Sequence, residues 1–262
     1  MKAISSLDNQ IIKDAVWLKK ASERKERGLI LIDGAREIAA ALEADWIIKT
    51  LFYCPELARA VNNFFGLTED KIIEVSKKIL EKISYKENPD GFLAVALAKD
   101  KELEKVKLSQ KPLIVVLEAV EKPGNLGAII RTAYAAGVDA IIINDSQTDI
   151  YNPNVIRASE GYIFKENLVM ASREETIEWL KKNKIKTFAA ATDGNEEYTK
   201  ADLNGPMAII LGSEAEGLGQ KWLKAADTRI KIPMRAGMDS LNVSVAAAVI
   251  LFEAKRQRSL ER

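Results

Sequence analysis

The chain has 262 residues, 47% of them hydrophobic, and its 39 basic and 38 acidic side chains leave a net charge of +1. No apolar run approaches the ~20 residues that a membrane helix needs, and the N-terminus lacks the apolar core of a signal peptide. A lone cysteine, Cys54, permits no internal disulfide, and the absence of histidine excludes Ser-His-Asp triads and histidine zinc sites. We therefore expect a cytoplasmic protein that contacts no membrane and holds no metal.

The first part of the chain alternates helices and strands, which is typical of a layered α/β unit. The pattern predicts a helix over residues 8–27, capped by Ser5 or Ser6, and a buried strand over residues 29–32. It further predicts helices over residues 35–44, 55–65 and 77–83, and strands over residues 47–53, 72–75 and 92–98. A Lys/Glu-rich stretch at residues 100–108 then indicates a boundary, with domains at residues 1–104 and 105–262.

The second part restarts the alternation. We expect strands over residues 113–117, 140–143, 163–170, 187–191, 208–211 and 228–232. Helices are expected over residues 126–136, 155–159, 173–183, 219–226 and 241–258. Because these strands are short and continuously apolar, they predict a parallel sheet covered on both faces.

Three segments interrupt this pattern with glycines, a proline and polar groups. The first, residues 125–131, reads Asn-Leu-Gly-Ala-Ile-Ile-Arg after a Pro-Gly turn. Asn125 is a good N-cap for the predicted helix, Gly127 permits close approach to its first turn, and Arg131 follows nearly two turns later on the same general face. By itself this segment is equally well explained by a capping Asn and a surface Arg.

The second segment, residues 211–219, reads Leu-Gly-Ser-Glu-Ala-Glu-Gly-Leu-Gly after a predicted strand. Glycines after a parallel strand are where nucleotide-like ligands approach backbone amides. The spacing matches neither G-x-G-x-x-G nor a phosphate-binding P-loop. The acids Glu214 and Glu216 suit a ribose hydroxyl or a cation better than a phosphate, although a simple turn with a solvated carboxylate also explains them.

The third segment, residues 232–242, reads Ile-Pro-Met-Arg-Ala-Gly-Met-Asp-Ser-Leu-Asn and leads into the last predicted helix. Pro233 removes a backbone donor where the strand ends. Ser240 and Asn242 are residues that commonly begin helices, so each alone has a structural explanation. Together with the exposed backbone of the loop, they fit a pocket for an adenine or an amino acid.

In this order, the three segments resemble the SpoU/TrmH family of RNA ribose 2′-O-methyltransferases of the SPOUT superfamily. The family pattern is Asn-x-Gly-x-x-x-Arg, Leu-Gly-x-Glu-x-x-Gly and Ile-Pro-Met…Ser-Leu-Asn-Val-Ser-Val-Ala, and every one of these residues is present, through Ala246. The resemblance covers residues 105–262. Residues 1–104 more loosely resemble the ribosomal-protein-L30e-like domain that often precedes it.

This resemblance implies an α/β fold in which a C-terminal trefoil-knotted methyltransferase domain follows a smaller L30e-like domain that binds RNA, most often rRNA. It implies that Arg131 is the general base, or acts with help from an RNA phosphate, and that Asn125, Glu214, Ser240 and Asn242 shape the site. S-adenosylmethionine would be held by Leu211, Gly212, Gly217, Ile232, Met234 and Leu241. A homodimer is also implied, formed by the first and last helices of the second domain.

Other interpretations fit parts of the pattern. The chain is alternatively a non-catalytic RNA-binding or ribosome-assembly factor on the same fold, or a methyltransferase directed at tRNA. A nucleotide-dependent oxidoreductase on a doubly wound sheet is a further reading, and the missing G-x-G-x-x-G speaks against it. Cys54 lies outside every segment, so methylation of a base carbon through a cysteine nucleophile is not expected.

Overall fold

The computed structural model describes residues 1–58, 66–99, 101–146 and 148–259. It divides into two compact units, one of Met1–Lys99 with Asp149–Lys165 and one of Asp100–Thr148 with Glu166–Arg262. A segment from the middle of the chain therefore belongs to the first unit, which the contiguous boundary at residue 104 did not anticipate. The separate roles expected for residues 1–104 and 105–262 stay a prediction.

Helices and strands alternate along the described chain, as the α/β pattern predicts. In chain order they are β1 (Lys2–Ile4), α1 (Gln10–Trp17), α2 (Ala21–Arg27), β2 (Leu29–Asp33), α3 (Ala35–Glu43), β3 (Ile48–Tyr53), β4 (Ile72–Val75), α4 (Lys77–Ile83), β5 (Phe92–Leu97), β6 (Leu113–Glu118), α5 (Pro123–Ala136), β7 (Ala140–Asn144), α6 (Pro153–Ala158), β8 (Leu168–Met170), α7 (Arg173–Lys182), β9 (Lys186–Ala190), β10 (Glu196–Glu197), β11 (Met207–Leu211), α8 (Gln220–Ala225), β12 (Thr228–Lys231) and α9 (Val243–Ser259).

The first unit is built on a mixed sheet with the strand order β1-β4-β3-β5-β2. β5 runs antiparallel to both β2 and β3, whereas β4 runs parallel to β1 and β3. The edge strand β1 was not predicted, because only Ile4 of its three residues is buried and a periodicity of two needs a longer run. The helix predicted over residues 55–65 falls largely on residues 59–65, which lie outside the described residues.

The single helix predicted over residues 8–27 is wrong, since the structure has two helices with a turn between them. The side chain of Asn9, and not of Ser5 or Ser6, caps α1 by accepting from the Ile11 amide. In the turn after α1, the buried guanidinium of Arg24 donates to the carbonyl groups of Leu18 and Lys19, at 2.7 and 2.9 Å. These carbonyls therefore have hydrogen-bond donors although the helix does not continue. The apolar periodicity of the sequence runs on through this turn and so does not reveal the break between the two helices.

The second unit is built on a parallel sheet with the strand order β10-β12-β9-β11-β6-β7-β8, as the apolar runs predict. Its central strands are fully buried, including Ile114 and Val116 of β6 and Ala208 and Ile210 of β11. Each buried Ile or Val side chain contributes about 1.5–3 kcal/mol by leaving water. The trefoil knot implied by the family resemblance stays a prediction.

The strand predicted over residues 163–170 is only partly correct. Strand β8 begins at Leu168, and Tyr162–Phe164 form a turn of 3-10 helix after Gly161, whose φ is +82°. Phe164 is apolar because it packs edge-on against the ring of Trp46 at 4.9 Å between centroids. The Trp46 indole N–H also donates to the Phe164 carbonyl at 3.1 Å. Burial within the first unit, and not strand pairing, explains this part of the apolar run.

Candidate functional site

The three segments singled out in the sequence lie at one edge of the second sheet. They follow β6, β11 and β12, whose carboxyl ends share that edge because the sheet is parallel. A cavity of about 510 Å³ opens there, lined by the loops after β9, β11 and β12, by Lys122 just before α5 and by one side of α9. Its size lies within the range of sites that hold drug-sized ligands.

All the residues that the sequence assigned to cofactor binding line this cavity. They are Leu211, Gly212, Gly217, Ile232, Met234 and Leu241. Ala246 and Ile250 of α9 add apolar wall beside them. The cavity thus combines an aliphatic and glycine-rich wall with polar side chains, among them Ser213, Glu214, Ser240 and Asn242.

The loop after β11 is folded tightly back on itself. Ser213 and Gly217 form an antiparallel bridge, each amide donating to the other carbonyl at 3.1 Å. Gly212 packs so closely against this bridge that a Cβ built on it would lie 2.1 Å from the carbonyl carbon of Gly217. Gly217 has a φ of +69°, which favours glycine. Both glycines are therefore required by the conformation of this cavity wall.

The structure brings three of the predicted catalytic residues into direct contact. The Asn125 side-chain amide donates to Glu214 Oε1 at 2.5 Å, and its carbonyl oxygen accepts from Asn242 Nδ2 at 3.1 Å. One residue from each segment thus joins a single hydrogen-bonded chain. The prediction that Asn125 caps its helix is wrong, because α5 begins at Pro123 with Lys122 in the capping position. Asn125 lies within the first turn, and its side chain bonds to the other segments instead.

Hydrogen bonding keeps Glu214 ionised. Partial burial tends to raise the pKa of its carboxyl group, but donation from Asn125 and from backbone amides outweighs burial, and the pKa lies below its usual value. The Glu121 amide is one of these donors, at 3.3 Å from Oε2. The carboxylate therefore anchors the loop after β11 to the start of α5.

Asn242 also begins α9, as its position in the sequence predicts. Its Oδ1 accepts from the amide and the hydroxyl of Ser244, at 2.9 and 2.7 Å. Ser240, two residues earlier, is exposed and lines the cavity. Asn242 thus both caps the start of α9 and bonds to Asn125 in the site, and the sequence alone could not distinguish these two roles.

Arg131 stands apart from the other predicted catalytic residues. It lies on the exposed side of α5, outside the lining of the cavity over the described part of the chain. α5 packs along α9.

Sequence reasoning missed a buried ionic contact beneath the loop. Glu118, at the last position of β6, accepts from the Gly219 amide at 2.7 Å and pairs with Arg173 at 2.7 Å between Oε1 and Nε. Arg173 in turn pairs with Asp145 at 2.5 Å. A charged residue that ends a fully apolar strand was the available signal, since such a group is rarely buried without a partner.

Charge in the cavity is mainly negative. Asp193, Glu214, Glu216 and Asp239 contribute carboxylates to the lining, against the single ammonium of Lys122. Such a lining favours a cationic ligand over an anionic one. Among the described residues, no group of three or more His, Cys, Asp or Glu side chains is arranged to hold a metal ion. The same residues contain no helix long and apolar enough to cross a membrane.

Two family models match the chain. The SpoU rRNA Methylase family matches residues 112–252, which include all three segments and the cavity. The MRM3-like substrate binding domain matches residues 9–94, within the first unit.

Individual relatives match over nearly the whole length. A 23S rRNA (guanosine(2553)-2′-O)-methyltransferase of Bacillus subtilis is 28% identical over 97% of this chain and 100% of its own. A 23S rRNA (uridine(2479)-2′-O)-methyltransferase of Streptomyces viridochromogenes is 29% identical, over 92% of this chain and 87% of its own. The crystal structure of an S-adenosylmethionine-bound rRNA methyltransferase from Sinorhizobium meliloti superposes with a TM-score of 0.90, at 30% identity and 97% coverage of both chains.

Proposed function

The chain belongs to the SpoU rRNA methylase family, and we propose that it transfers the methyl group of S-adenosylmethionine to a ribose 2′-hydroxyl of 23S rRNA. The observation that carries this proposal is the cavity at the carboxyl edge of the second sheet. Its walls include the second and third family segments, and Asn125 joins the first segment to them through its contacts with Glu214 and Asn242.

The cavity fits the methyl donor in size and charge. S-adenosylmethionine combines a flat adenine, a ribose diol and a cationic sulfonium with an amino-acid end. The aliphatic wall of Ile232, Leu241 and Ile250 suits the adenine, and the backbone at Leu211 and Gly212 offers hydrogen-bonding groups to its edge. The acidic lining complements the positive sulfonium and ammonium groups.

Methyl transfer to a hydroxyl requires mainly that the protein position the two substrates. When bound, the donor supplies an electrophilic methyl group on its sulfonium, so a ribose oxygen needs only alignment and loss of its proton. Asn125, Glu214 and Asn242 hold the three segments in register. Ser240 offers a hydroxyl at the cavity wall. Fixed alignment of this kind accounts for much of the rate in two-substrate reactions.

We assign Arg131 to the RNA side of the reaction. A guanidinium ordinarily loses its proton only above a pH of about 12, so it is a poor general base unaided. From the exposed side of α5 it is placed to bind an RNA phosphate, which then assists in removing the hydroxyl proton. Arg131→Lys and Arg131→Ala should both abolish turnover and retain cofactor binding. Full turnover in both variants would refute the assignment.

We further propose that this chain acts as a homodimer in the cytoplasm. Val245 and Phe252 of α9 are 49% and 48% exposed, and Tyr134 of the adjoining α5 is 42% exposed. A patch shared by two packed helices suits a second copy of the same surface. Phe252→Glu should give a monomer in light scattering, whereas Met170→Glu, at an exposed apolar site elsewhere in the same unit, should not.

Methyl transfer to unmodified 23S rRNA tests the main proposal directly. The full chain is incubated with radiolabelled S-adenosylmethionine and 23S rRNA transcribed in vitro. We expect incorporated label that resists alkaline hydrolysis, because a 2′-O-methyl group blocks cleavage of the following phosphodiester. Primer extension at limiting nucleotide then maps the residue. Label found only in bases, or only when tRNA replaces 23S rRNA, contradicts the proposal, and so does an absence of cofactor binding by calorimetry.

A further inference from the structure

The first unit carries one feature that its fold does not explain. Trp17, the last residue of α1, is 40% exposed, whereas Trp46, Trp179 and Trp222 are 6%, 8% and 1% exposed. A single exposed aromatic residue is ordinary by itself. Here, however, the indole forms one wall of a concavity.

That concavity is a pocket of about 140 Å³ lined by α1, by the turn before it and by α4. Its apolar surface comes from Leu7, Ile12, Val16 and Trp17, and the side chains of Lys13 and Lys82 complete the lining. The Lys13 ammonium lies 3.5 Å from Oδ1 of the exposed Asp8, a weak surface pair that a phosphate can replace. A third ammonium lies beside the pocket, since Lys19 Nζ donates to the Lys82 carbonyl at 2.8 Å.

The indole is held in place from one side. The guanidinium of Arg27 lies over the Trp17 ring at 4.8 Å from its centroid. Arg27 is itself fixed by hydrogen bonds to Glu23 at 3.0 Å and Asp14 at 3.1 Å. A cation stacked on an indole is among the stronger cation–π contacts. The ring therefore stands in a set orientation instead of collapsing into the pocket.

From this arrangement we propose that the Trp17 pocket, lined by Leu7, Ile12, Lys13, Val16, Trp17 and Lys82, binds an unpaired base of the RNA substrate. An aromatic wall stacks on a base of any sequence, and flanking ammonium groups attract the adjoining phosphates. The small apolar volume accepts one flat ring but no helix face of a protein partner. This inference rests on the proposed function, because it takes the substrate to be RNA.

The test compares RNA and cofactor binding in matched variants of the full chain. Trp17→Ala should raise the KM for unmodified 23S rRNA about fivefold or more, in line with the loss of one stacked base. Trp17→Phe should restore most of the affinity. The dissociation constant for S-adenosylmethionine should not change in either variant, and Ile47→Ala, at a 53% exposed apolar site of the same unit, should match the wild type.

Lysine variants provide an independent arm should Trp17→Ala fail to fold. Lys82→Gln and Lys13→Gln should each weaken filter-binding of the 23S rRNA and lessen its dependence on salt. An unchanged KM in Trp17→Ala with unchanged salt dependence in both lysine variants would overturn the inference. A change confined to oligomeric state would overturn it too, and would indicate a protein contact. Failure of the wild type to methylate any RNA would instead reject the proposed function, which separates the two outcomes.

Discussion

Substitution of Gly212 by alanine tests the cavity wall most directly. The added Cβ would lie 2.1 Å from the carbonyl carbon of Gly217, 2.2 Å from its oxygen and 2.4 Å from the Leu218 amide nitrogen. All three are backbone atoms, so no side-chain rotation relieves the overlap. Carbon atoms in contact stay about 3.5 Å apart, and the loop must therefore retreat by about 1.4 Å.

The cost follows from what that retreat breaks. The two hydrogen bonds of the bridge between Ser213 and Gly217 are each 3.1 Å long and contribute about 0.5–1.5 kcal/mol apiece. Residual overpacking adds about 1–3 kcal/mol. We expect Gly212→Ala to lower the free energy of unfolding by about 2–6 kcal/mol, the sum of these contributions. It should also weaken S-adenosylmethionine binding at least tenfold, because Leu211 and Gly217 line the same cavity.

Calorimetric titration with S-adenosylmethionine and urea denaturation measure the two effects. Gly205→Ala is the matched control, because a Cβ there meets nothing within 4 Å. It should leave both quantities at the wild-type level. Wild-type cofactor affinity in a folded Gly212→Ala variant would show that the loop after β11 does not form the cofactor wall.

Three further substitutions probe the groups around this wall. Glu118→Gln should lower the free energy of unfolding, measured by urea denaturation, by about 2–3 kcal/mol. This is less than the loss of a fully buried ion pair, because Arg173 is 26% exposed and still pairs with Asp145. The control Glu216→Gln, at an exposed position, should leave the free energy of unfolding unchanged. Asn125→Ala removes a donor to Glu214, so the pKa of that carboxyl should rise and the acidic limb of kcat/KM should move to higher pH; an unmoved limb would contradict this. Burial raises the pKa of Glu166 from 4.5 to about 7, so its contribution to stability is full below pH 4.5 and is lost as pH rises through 7. Between pH 5 and 8, the wild type should therefore lose stability on the order of 3 kcal/mol through this group. Glu166→Gln should lack this pH-dependent loss in its free energy of unfolding.

The local pattern of apolar residues predicted those parts of the fold that are stabilised mainly by burial of apolar side chains. The central strands β6, β7 and β11 are fully buried, so their sequences are continuously apolar and their ends fall within one residue of the expected positions. The short edge strand β10 consists of Glu196 and Glu197 and was not predicted, because it has no apolar residue. The three segments were equally visible, because glycine and proline between apolar runs mark a backbone with special requirements. This signal singled out Gly212 and Gly217, and the family resemblance then assigned them to the cofactor.

Contacts between distant residues account for the failures. Arg24, which donates to the carbonyls of the turn after α1, is held by Asp149, 125 residues later in the chain, and the apolar periodicity continues across that turn. Asn125 is a residue type that commonly caps helices, but its side chain donates to Glu214, 89 residues later in the chain. Phe164 is apolar because of Trp46, more than a hundred residues earlier. In each case a polar or aromatic group satisfies a partner that no local window contains.

The hydrogen bonds that join the three segments have a consequence for catalysis. Among the described residues Asn125 lies outside the cavity lining, and Glu214 and Asn242 are only two of the residues that form it, so removing one of these three side chains takes away little of the surface that the methyl donor would touch. Asn125, Glu214 and Asn242 instead set the mutual positions of the three segments. Loss of one link should loosen the alignment between donor and ribose more than it weakens donor binding, because alignment within a fraction of an ångström governs the rate. Substitution of any of these three residues should therefore lower kcat more than it lowers cofactor affinity. For Gly212→Ala the opposite is expected, with cofactor affinity the more strongly affected.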